Sequence, residues 1–365
     1  MTLDILDQFH DPALCRSVLS RLQDALGGKP LRFMEVCGTH TVAIFRSGLR
    51  TILPGEIVHL SGPGCPVCVT HESEVNAFLD LAEKPGVIIA TFGDLMRVPG
   101  SKSRTLKAAQ ADGARVSVVY SPPDALKIAA ENPDSTVVFL GVGFETTAPG
   151  VAATLHMAKA QGLTNFRVLS FHKIVPPALD ALLADPETDI DAFIMPGHVS
   201  AIIGLTPYLP VATRYGKCAA IAGFEPLDIL QALLFLAECK RDGRAEVANL
   251  YRRVVRDEGN PKARAMLAEV FKTSDALWRG IGNIPGSGLE LADAYAAYDA
   301  KRQFGIEITE CPPLPGCKCG DVLKGKLSPN LCPLFGKACT PAKPVGPCMV
   351  STEGSCAAYF KYQVD

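Results

Sequence analysis

Two short cysteine motifs near the start of the chain hold residue types that could do redox or metal chemistry. The first is Cys37-Gly38-Thr39-His40, and the second is Cys65-Pro66-Val67-Cys68, which follows a Gly-Pro-Gly run. Two cysteines at this spacing can form a reversible disulfide or bind a soft metal. His40 could act as a base, a proton relay or a ligand, or it could only hydrogen-bond its own loop. The first motif is also compatible with a simple helix start that has a threonine at its N-cap.

A second group of cysteines lies in the last 55 residues, which contain seven of the thirteen in the chain: Cys311, Cys317, Cys319, Cys332, Cys339, Cys348 and Cys356. Cys317, Cys332, Cys339 and Cys356 are separated by 14, 6 and 16 residues. Four thiolates can hold a [4Fe–4S] cluster or a structural zinc ion. Zinc ribbons bring their ligands in two close pairs, whereas here only Cys317 and Cys319 are close. The spacing therefore favours a cluster, with Cys319 and Cys348 as alternative ligands.

The composition restricts the classes of function. The 365 residues carry a net charge of −2 and no basic run, which argues against nucleic-acid binding. No apolar run approaches the ~20 residues needed to span a bilayer, and the N-terminus lacks the pattern of a signal peptide. Clustered cysteines in a reducing compartment usually bind metal or do redox work. We therefore expect a cytoplasmic protein, in which the scattered Cys15, Cys218 and Cys239 are small buried apolar side chains.

Strand-like and helical patterns alternate from residue 31 to residue 225, which predicts an α/β protein with parallel sheets and helices on their faces. The strand-like runs are Leu31–Val36, Ile57–Leu60, Val87–Thr91, Val116–Tyr120, Val137–Leu140, Arg167–Phe171, Ala192–Met195 and Ala219–Ala222. Because Pro122-Pro123 lies near the midpoint, we expect two similar parallel-sheet α/β units, residues 31–120 and 121–225, rather than a barrel.

The remaining residues predict a smaller amount of helical structure. Residues 1–30 contain a helical pattern from residue 4 to residue 26, which we expect to pack on the C-terminal domain. Residues 226–365 predict a helical, loop-rich domain that ends in the cysteine-rich iron–sulfur tail. The segments assigned there are helices at Leu227–Cys239, Glu246–Val255 and Ala263–Phe271, and a glycine-rich connector at Ala276–Leu291. Without a bound metal or cluster, the tail could not bury enough apolar surface to fold.

In this arrangement each N-terminal cysteine motif follows a strand and precedes a helix. Ligands bind at the carboxyl ends of strands in open α/β sheets, so the two motifs should meet at one edge. The helix N-terminus should favour the thiolate of Cys37, which we expect to be partly exposed. Later strand ends bring further polar residues to the same rim and predict a cleft between the α/β units: Glu145, Thr146, Thr147, His172, Lys173, His198 and Ser200, with His71 as a weaker candidate.

Taken together, these motifs resemble the HypD family of [NiFe] hydrogenase maturation proteins. The resemblance covers essentially the whole chain in the same order. It rests on the two N-terminal motifs and on three later segments: Gly141-Val142-Gly143-Phe144-Glu145-Thr146-Thr147-Ala148-Pro149, Pro196-Gly197-His198-Val199-Ser200, and Pro344-Val345-Gly346-Pro347-Cys348-Met349-Val350-Ser351-Thr352-Glu353-Gly354-Ser355-Cys356.

The resemblance implies that the protein pairs with a HypC-like small chaperone to form a scaffold. On this scaffold an iron ion would receive two cyanide ligands, which a HypE-like donor delivers, and one carbon monoxide before its transfer to the hydrogenase large subunit. Cys37 and a thiol of the partner would hold the iron. Cys65 and Cys68 would be a redox pair or further iron ligands, and the [4Fe–4S] cluster of the tail would pass electrons to these thiols.

Two other functions are compatible with the same residues. An iron–sulfur dithiol–disulfide reductase acting on a protein would use Cys65, Cys68 and the cluster but would leave Cys37 without a role. A zinc-stabilised binding module would use the tail cysteines without redox chemistry. We predict a redox-active assembly scaffold rather than a simple turnover enzyme, with Cys37, Thr39, His40, Cys65 and Cys68 as its reactive residues.

Overall fold

The computed structural model of the protein describes residues 8–362. Its strands are β1 (Leu31–Glu35), β2 (Ile57–Ser61), β3 (Val87–Thr91), β4 (Arg115–Val118), β5 (Thr136–Gly141), β6 (Phe166–Ser170), β7 (His172–Lys173), β8 (Ala192–Pro196), β9 (Cys218–Ala222), β10 (Val247–Asn249), β11 (Phe271–Trp278) and β12 (Gly282–Leu291). All eight strands predicted from the sequence are present.

Helices occupy most of the connections between these strands. The α-helices are Pro12–Leu26, Gly38–Arg46, Leu49–Ile52, Pro66–Val69, Glu72–Ala82, Leu106–Ala111, Asp124–Glu131, Ala148–Ala160, Val175–Ala184, Gly197–Ile203, Leu209–Thr213, Pro226–Asp242, Pro261–Val270, Ala300–Phe304, Cys319–Leu323 and Ser355–Tyr362. Short 3₁₀ helices lie at Gln8–His10, Gly93–Arg97, Ser101–Ser103, Thr206–Tyr208, Asp293–Tyr298, Pro329–Leu331 and Pro347–Met349. In the described part of the chain, no helix has both the length and the apolar character needed to cross a membrane.

Nine of the strands form two parallel sheets. One sheet has the order β10-β9-β8-β1-β2, and the other has the order β4-β3-β5-β6. Every neighbouring pair in both sheets is parallel. Parallel neighbours need long crossover connections, which explains why helices separate the strands along the chain. The α/β class predicted from the alternating pattern is therefore confirmed.

The sheets do not follow the predicted division into residues 31–120 and 121–225. Strands β1 and β2 pair with each other, but β3 and β4 join β5 and β6 in the other sheet. The chain returns to the first sheet at β8, where Phe33 pairs with Ala192. A strand as deeply buried as β1 needs hydrogen-bonded neighbours on both sides, and β8 supplies the second one. The correction is therefore that strands of both predicted units are shared between the two sheets.

Two of the three helices predicted beyond residue 226 are present, as Pro226–Asp242 and Pro261–Val270. The prediction of a helix at Glu246–Val255 is wrong, because Val247–Asn249 is instead the edge strand β10, which pairs with β9. A strand of only three residues contains too little of the alternating pattern for the sequence to distinguish it from a helix.

The predicted glycine-rich connector Ala276–Leu291 forms most of the antiparallel hairpin of β11 and β12. Gly280 and Gly282, with φ of 73° and 101°, adopt the left-handed backbone that the hairpin turn requires. Trp278 is fully buried at the end of β11, and its indole N–H donates to Ser287 Oγ at 2.8 Å. Strand β12 also pairs with β7, so the hairpin is tied to the end of the four-stranded sheet.

The N-terminal helix begins at Pro12, where Asp11 Oδ1 accepts the backbone N–H groups of Ala13 and Leu14. It ends at Gly27, whose φ of 53° is left-handed. The helix packs against the helix Pro226–Asp242, and the two share one apolar core with β1. The first part of the helix predicted from residue 4 lies outside the described residues.

Candidate functional site

The two N-terminal cysteine loops are in direct contact, as their positions after neighbouring strands predict. Strand β1 pairs with β2 residue by residue, so the loops that follow leave the sheet side by side. The N–H of Gly38 donates to the carbonyl of Gly64 at 3.0 Å. A Cβ on Gly64 would overlap the backbone of Cys37, so only glycine allows this approach. The contact brings Cys37 next to the loop that leads to Cys65.

Cys37 occupies the N-cap position of the helix Gly38–Arg46, and its N–H donates to Glu35 Oε2 at 3.0 Å. The residue is only 7% exposed. Burial raises the pKa of Cys37 to about 12, although the backbone N–H groups of His40 and Thr39 favour the thiolate. The expectation of a partly exposed Cys37 with a favoured thiolate is therefore wrong, because desolvation outweighs the helix terminus.

Cys65 and Cys68 are joined by a disulfide, with their Cα atoms 5.2 Å apart. The pair lies at the start of the short helix Pro66–Val69, and the N–H of Cys68 donates to Cys65 Sγ at 3.2 Å. Both residues are buried. The arrangement can open and close by a two-electron step without a change of fold, because the ring it closes is small.

His40 and His198 both pack against one aromatic ring, that of Phe224. The ring centroids are 4.5 Å and 4.2 Å from Phe224, respectively. His40 is fully buried, and its Nε2 donates to the carbonyl of Gly223 at 2.9 Å. Burial lowers the pKa of His40 to about 4, so the ring is neutral near pH 7. Its Nδ1 has no hydrogen-bond partner among the described residues, and as the free acceptor it can accept a hydrogen bond or bind a metal.

Glu353 of the tail covers the first cysteine loop, and sequence analysis did not single it out. Thr39 Oγ1 donates to Glu353 Oε1 at 2.8 Å. A Cβ on Gly38 would lie 2.5 Å from the carbonyl oxygen of Glu353, so the two backbones touch. The sequence signal that could have identified Glu353 is a carboxylate between small residues within the segment 344–356. Its negative charge adds to the burial that raises the pKa of Cys37.

Two of the polar residues predicted for the rim, Glu145 and Ser200, lie in the interior. Glu145 is buried, and its Oε1 accepts the N–H of Val175 at 2.9 Å, while Oε2 has no partner in residues 8–362. Burial raises the pKa of Glu145 to about 7. Ser200 Oγ donates to the hydroxyl of Tyr208 at 3.3 Å. Burial and the charges of Glu145 and Cys37 raise the pKa of Tyr208.

Other predicted rim residues have structural partners instead. Lys173 forms a buried ion pair with Glu74, and His172 hydrogen-bonds Ser170 Oγ through Nδ1 at 3.0 Å. His71 caps the helix Glu72–Ala82. Two predicted rim residues lie in the loop after β5: Thr146 is exposed, and Thr147 is partly exposed.

Six cysteines of the tail line one small pocket: Cys317, Cys319, Cys332, Cys339, Cys348 and Cys356. All four predicted cluster ligands are therefore brought together. The Sγ atoms of Cys319 and Cys348 are in contact at 2.7 Å. Hydrogen bonds from the thiols of Cys317 and Cys348 and the positive charge of Arg279 lower the pKa of Cys319.

The donor set of this pocket fits a cluster better than a single ion. In the described ranges, no three His, Cys, Asp or Glu side chains converge as one metal ion requires. A [4Fe–4S] cluster binds each thiolate through a different iron atom, so its ligands surround a cavity instead of meeting at a point. A Cβ on Gly346 would lie 2.6 Å from Cys317 Sγ, so the backbone itself forms part of the lining.

The tail pocket and the Cys65–Cys68 disulfide are neighbours across one apolar core. The helix Pro66–Val69 packs against the 3₁₀ turn Pro347–Met349. Cys65, Cys68, Cys319 and Cys348 all belong to the same cluster of buried side chains. The two groups of sulfur atoms therefore lie in one continuous buried region.

An open groove of about 760 Å³ begins beside Thr39. Mostly apolar side chains line it: Pro12, Cys15, Val42, Ala43, Leu49, Ile52, Phe224 and Pro226. Ile52 is 52% exposed, so part of this apolar lining is open to solvent. The groove gives a second molecule access to the loop that carries Cys37.

Comparison with known proteins gives matches over nearly the whole chain. Residues 13–363 match the HypD family model, described as "Hydrogenase formation hypA family". The chain is 46% identical over 366 residues to the hydrogenase maturation factor HypD of Rhodobacter capsulatus, covering 97% of each protein. It is 44% identical over 364 residues to HypD of Azotobacter vinelandii, covering 98% of this chain and 96% of that protein. For HypD of Escherichia coli K12 the identity is 44% over 365 residues and 98% of each protein.

Proposed function

The chain belongs to the HypD family of hydrogenase maturation factors, and we propose that it is the scaffold on which an iron ion acquires two cyanides and one carbon monoxide. The iron is the cargo of this reaction. A HypC-like small chaperone completes the site, a HypE-like donor delivers the cyanide, and the hydrogenase large subunit receives the product. The many unpaired thiols suit the reducing interior of the cell, where we place this work.

One observation carries this proposal: Cys37 lies on a loop that touches the Cys65–Cys68 loop and borders an open apolar groove. A soft thiolate suits low-valent iron, and the groove gives a partner with a second thiol access to it. Binding of iron removes the thiol proton even from a cysteine with a high pKa. That proton passes to solvent, because burial lowers the pKa of His40 to about 4, and the free Nδ1 of His40 serves as a hydrogen-bond acceptor or ligand.

Cys65 and Cys68 then act as a two-electron store next to the iron. Opening the disulfide takes up two electrons, and closing it returns them. Cys317, Cys332, Cys339 and Cys356 would hold a [4Fe–4S] cluster, which supplies single electrons to this store. Support for this assignment comes from the pocket that all four of these thiols line.

The alternative is a dithiol–disulfide reductase that acts on a protein through Cys65, Cys68 and the cluster. The disulfide beside the tail pocket is the observation that favours it. It leaves Cys37 and the groove beside Thr39 without a role, so we prefer the scaffold.

The deciding experiment compares wild type with Cys37→Ser in complex with the partner, by infrared spectroscopy. Serine keeps the size of the side chain but replaces a soft ligand with a hard one that ionises poorly. We expect the variant to keep its cluster and its Cys65–Cys68 disulfide and to lose the cyanide and carbonyl bands. Bands of wild-type intensity in Cys37→Ser would refute the scaffold as described and favour the reductase.

A further inference from the structure

Arg279 lies between the two groups of sulfur atoms and has no part in the function proposed above. It follows the buried Trp278 at the turn of the β11–β12 hairpin and is only 3% exposed. A guanidinium carries five N–H donors and keeps its charge, so burial requires an acceptor for each donor. Two of its three nitrogens, Nε and Nη1, have acceptors close to Cys68.

On one side Arg279 holds the backbone that directly follows Cys68. Its N–H donates to the carbonyl of Val69 at 2.9 Å, and its Nε donates to the carbonyl of Thr70 at 2.9 Å. Nη1 forms a buried ion pair with Glu72. These contacts fix the end of the short helix Pro66–Val69, which begins at the disulfide. The position of Arg279 therefore determines the position of the disulfide turn.

On the other side the hairpin touches the tail next to Cys319. A Cβ on Gly280 would overlap the Cα of Gly320, and a Cβ on Gly320 would lie 2.7 Å from the Cα of Gly280. Only two glycines allow the backbones to come this close. Because Cys319 precedes Gly320 and lines the tail pocket, Arg279 stands between that pocket and the disulfide.

One nitrogen of Arg279 is left over. Nη2 is buried and has no acceptor among the described residues. A charged donor without a partner is unfavourable in the interior. Sulfur atoms are acceptors whose strength depends on redox state, since a thiolate accepts a much stronger hydrogen bond than a neutral disulfide sulfur.

We propose that Arg279 is a positioning residue that couples the tail pocket to the Cys65–Cys68 pair, with Nη2 donating to a sulfur that becomes negatively charged on reduction. The proposal rests on the redox role proposed for these cysteines. Reduction breaks the S–S bond, consumes two electrons and leaves two sulfur anions, of which one takes a proton from solvent and the other accepts the Arg279 hydrogen bond. Arg279 therefore favours the reduced pair, and Glu72 keeps the guanidinium in place.

The test measures the disulfide–dithiol equilibrium of Cys65 and Cys68 in the full chain, in mixtures of reduced and oxidised dithiothreitol. Dithiothreitol supplies the two electrons and closes to its cyclic disulfide; free thiols are trapped and mapped by mass spectrometry. We expect the equilibrium constant for reduction to fall about tenfold in Arg279→Gln, the effect of one hydrogen bond to a charged group. Arg279→Lys should show a smaller fall, because lysine keeps the charge but loses the fork of donors.

Arg253→Gln is the matched control, because Arg253 also pairs with a buried carboxylate, that of Asp228. An unchanged equilibrium constant in Arg279→Gln, or an equal fall in Arg253→Gln, would overturn the proposal. If Arg279→Gln does not fold, Arg279→Lys takes its place. An unchanged equilibrium constant in Arg279→Lys, or an equal fall in Arg253→Gln, would then overturn the proposal. The measurement uses no iron, cyanide or partner, so its failure is separate from that of the scaffold function, which the infrared bands report.

Discussion

The hydroxyl of Thr39 donates a hydrogen bond to the carboxylate of Glu353 at 2.8 Å, although the two residues are 314 positions apart. The backbone of Glu353 also touches Gly38, directly after Cys37. The tail therefore forms one wall of the loop that carries Cys37, and the protection of this thiol depends on a contact between the two ends of the chain.

Replacing Thr39 with valine should loosen this wall. Valine keeps the shape of threonine but removes the donor, so we expect a loss of about 1 kcal/mol in the free energy of unfolding. Alkylation of Cys37 by iodoacetamide, followed by mass spectrometry, should also become faster. Thr213→Val is the control, because its hydroxyl only donates to the carbonyl of Leu209 within an exposed helix. Equal protection of Cys37 in Thr39→Val and wild type would show that the contact is dispensable.

The reactivity of Cys37 should keep rising with pH beyond the range of an ordinary thiol. Burial raises its pKa to about 12, so the thiolate fraction increases about tenfold per pH unit up to that value. The alkylation rate in the native protein should therefore show no plateau between pH 7 and pH 10, whereas the urea-unfolded chain should level off near its free-thiol pKa of ~8.5. Glu353→Gln should speed the reaction, because it removes a neighbouring negative charge. A plateau below pH 9 in the native protein would contradict this.

Glu145 should make the stability of the protein depend on pH. Burial raises its pKa to about 7, so the folded protein holds a proton that the unfolded chain releases above about pH 4.3. This stabilisation is complete at low pH and is lost as pH rises through 7. Glu145→Gln keeps the acceptor for Val175 and does not titrate, so at pH 8 it should be more stable than wild type by about 3 kcal/mol. Urea unfolding at pH 5 and pH 8 measures this; the same change with pH in both proteins would exclude Glu145 as its source.

The tail cysteines should differ in their effect on the cluster. Cys332→Ala or Cys339→Ala should abolish the brown absorption and lower the iron and sulfide content, because each removes a predicted ligand from the pocket. Cys319→Ser should matter less than Cys317→Ser, since Cys319 is in contact with Cys348 and is not among the predicted ligands. Normal iron and sulfide in the first two variants would refute the assignment, and the reverse order in the second pair would exchange Cys317 for Cys319.

Sequence patterns predicted the strands and the meeting of the two cysteine loops, because a loop that follows a strand has a fixed place at the sheet edge. They did not predict the burial of Cys37, whose loop is covered by a residue far away in the sequence, Glu353. Arg279 was missed for the same reason, since its partners precede it by more than 200 positions. The β11–β12 hairpin was mistaken for a connector because its glycines hide the alternation of a strand.

The return of the chain to β1 at β8 has a consequence for synthesis on the ribosome. Until residues 192–196 have emerged, one edge of β1 has no strand to pair with, and until Glu353 has emerged the loop of Cys37 lacks its wall. A nascent chain therefore carries the Cys37 loop in an incomplete environment until residue 353 has emerged. Protection of Cys37 against oxidation and unwanted metal binding is acquired only when the segment around Glu353 folds back onto this loop.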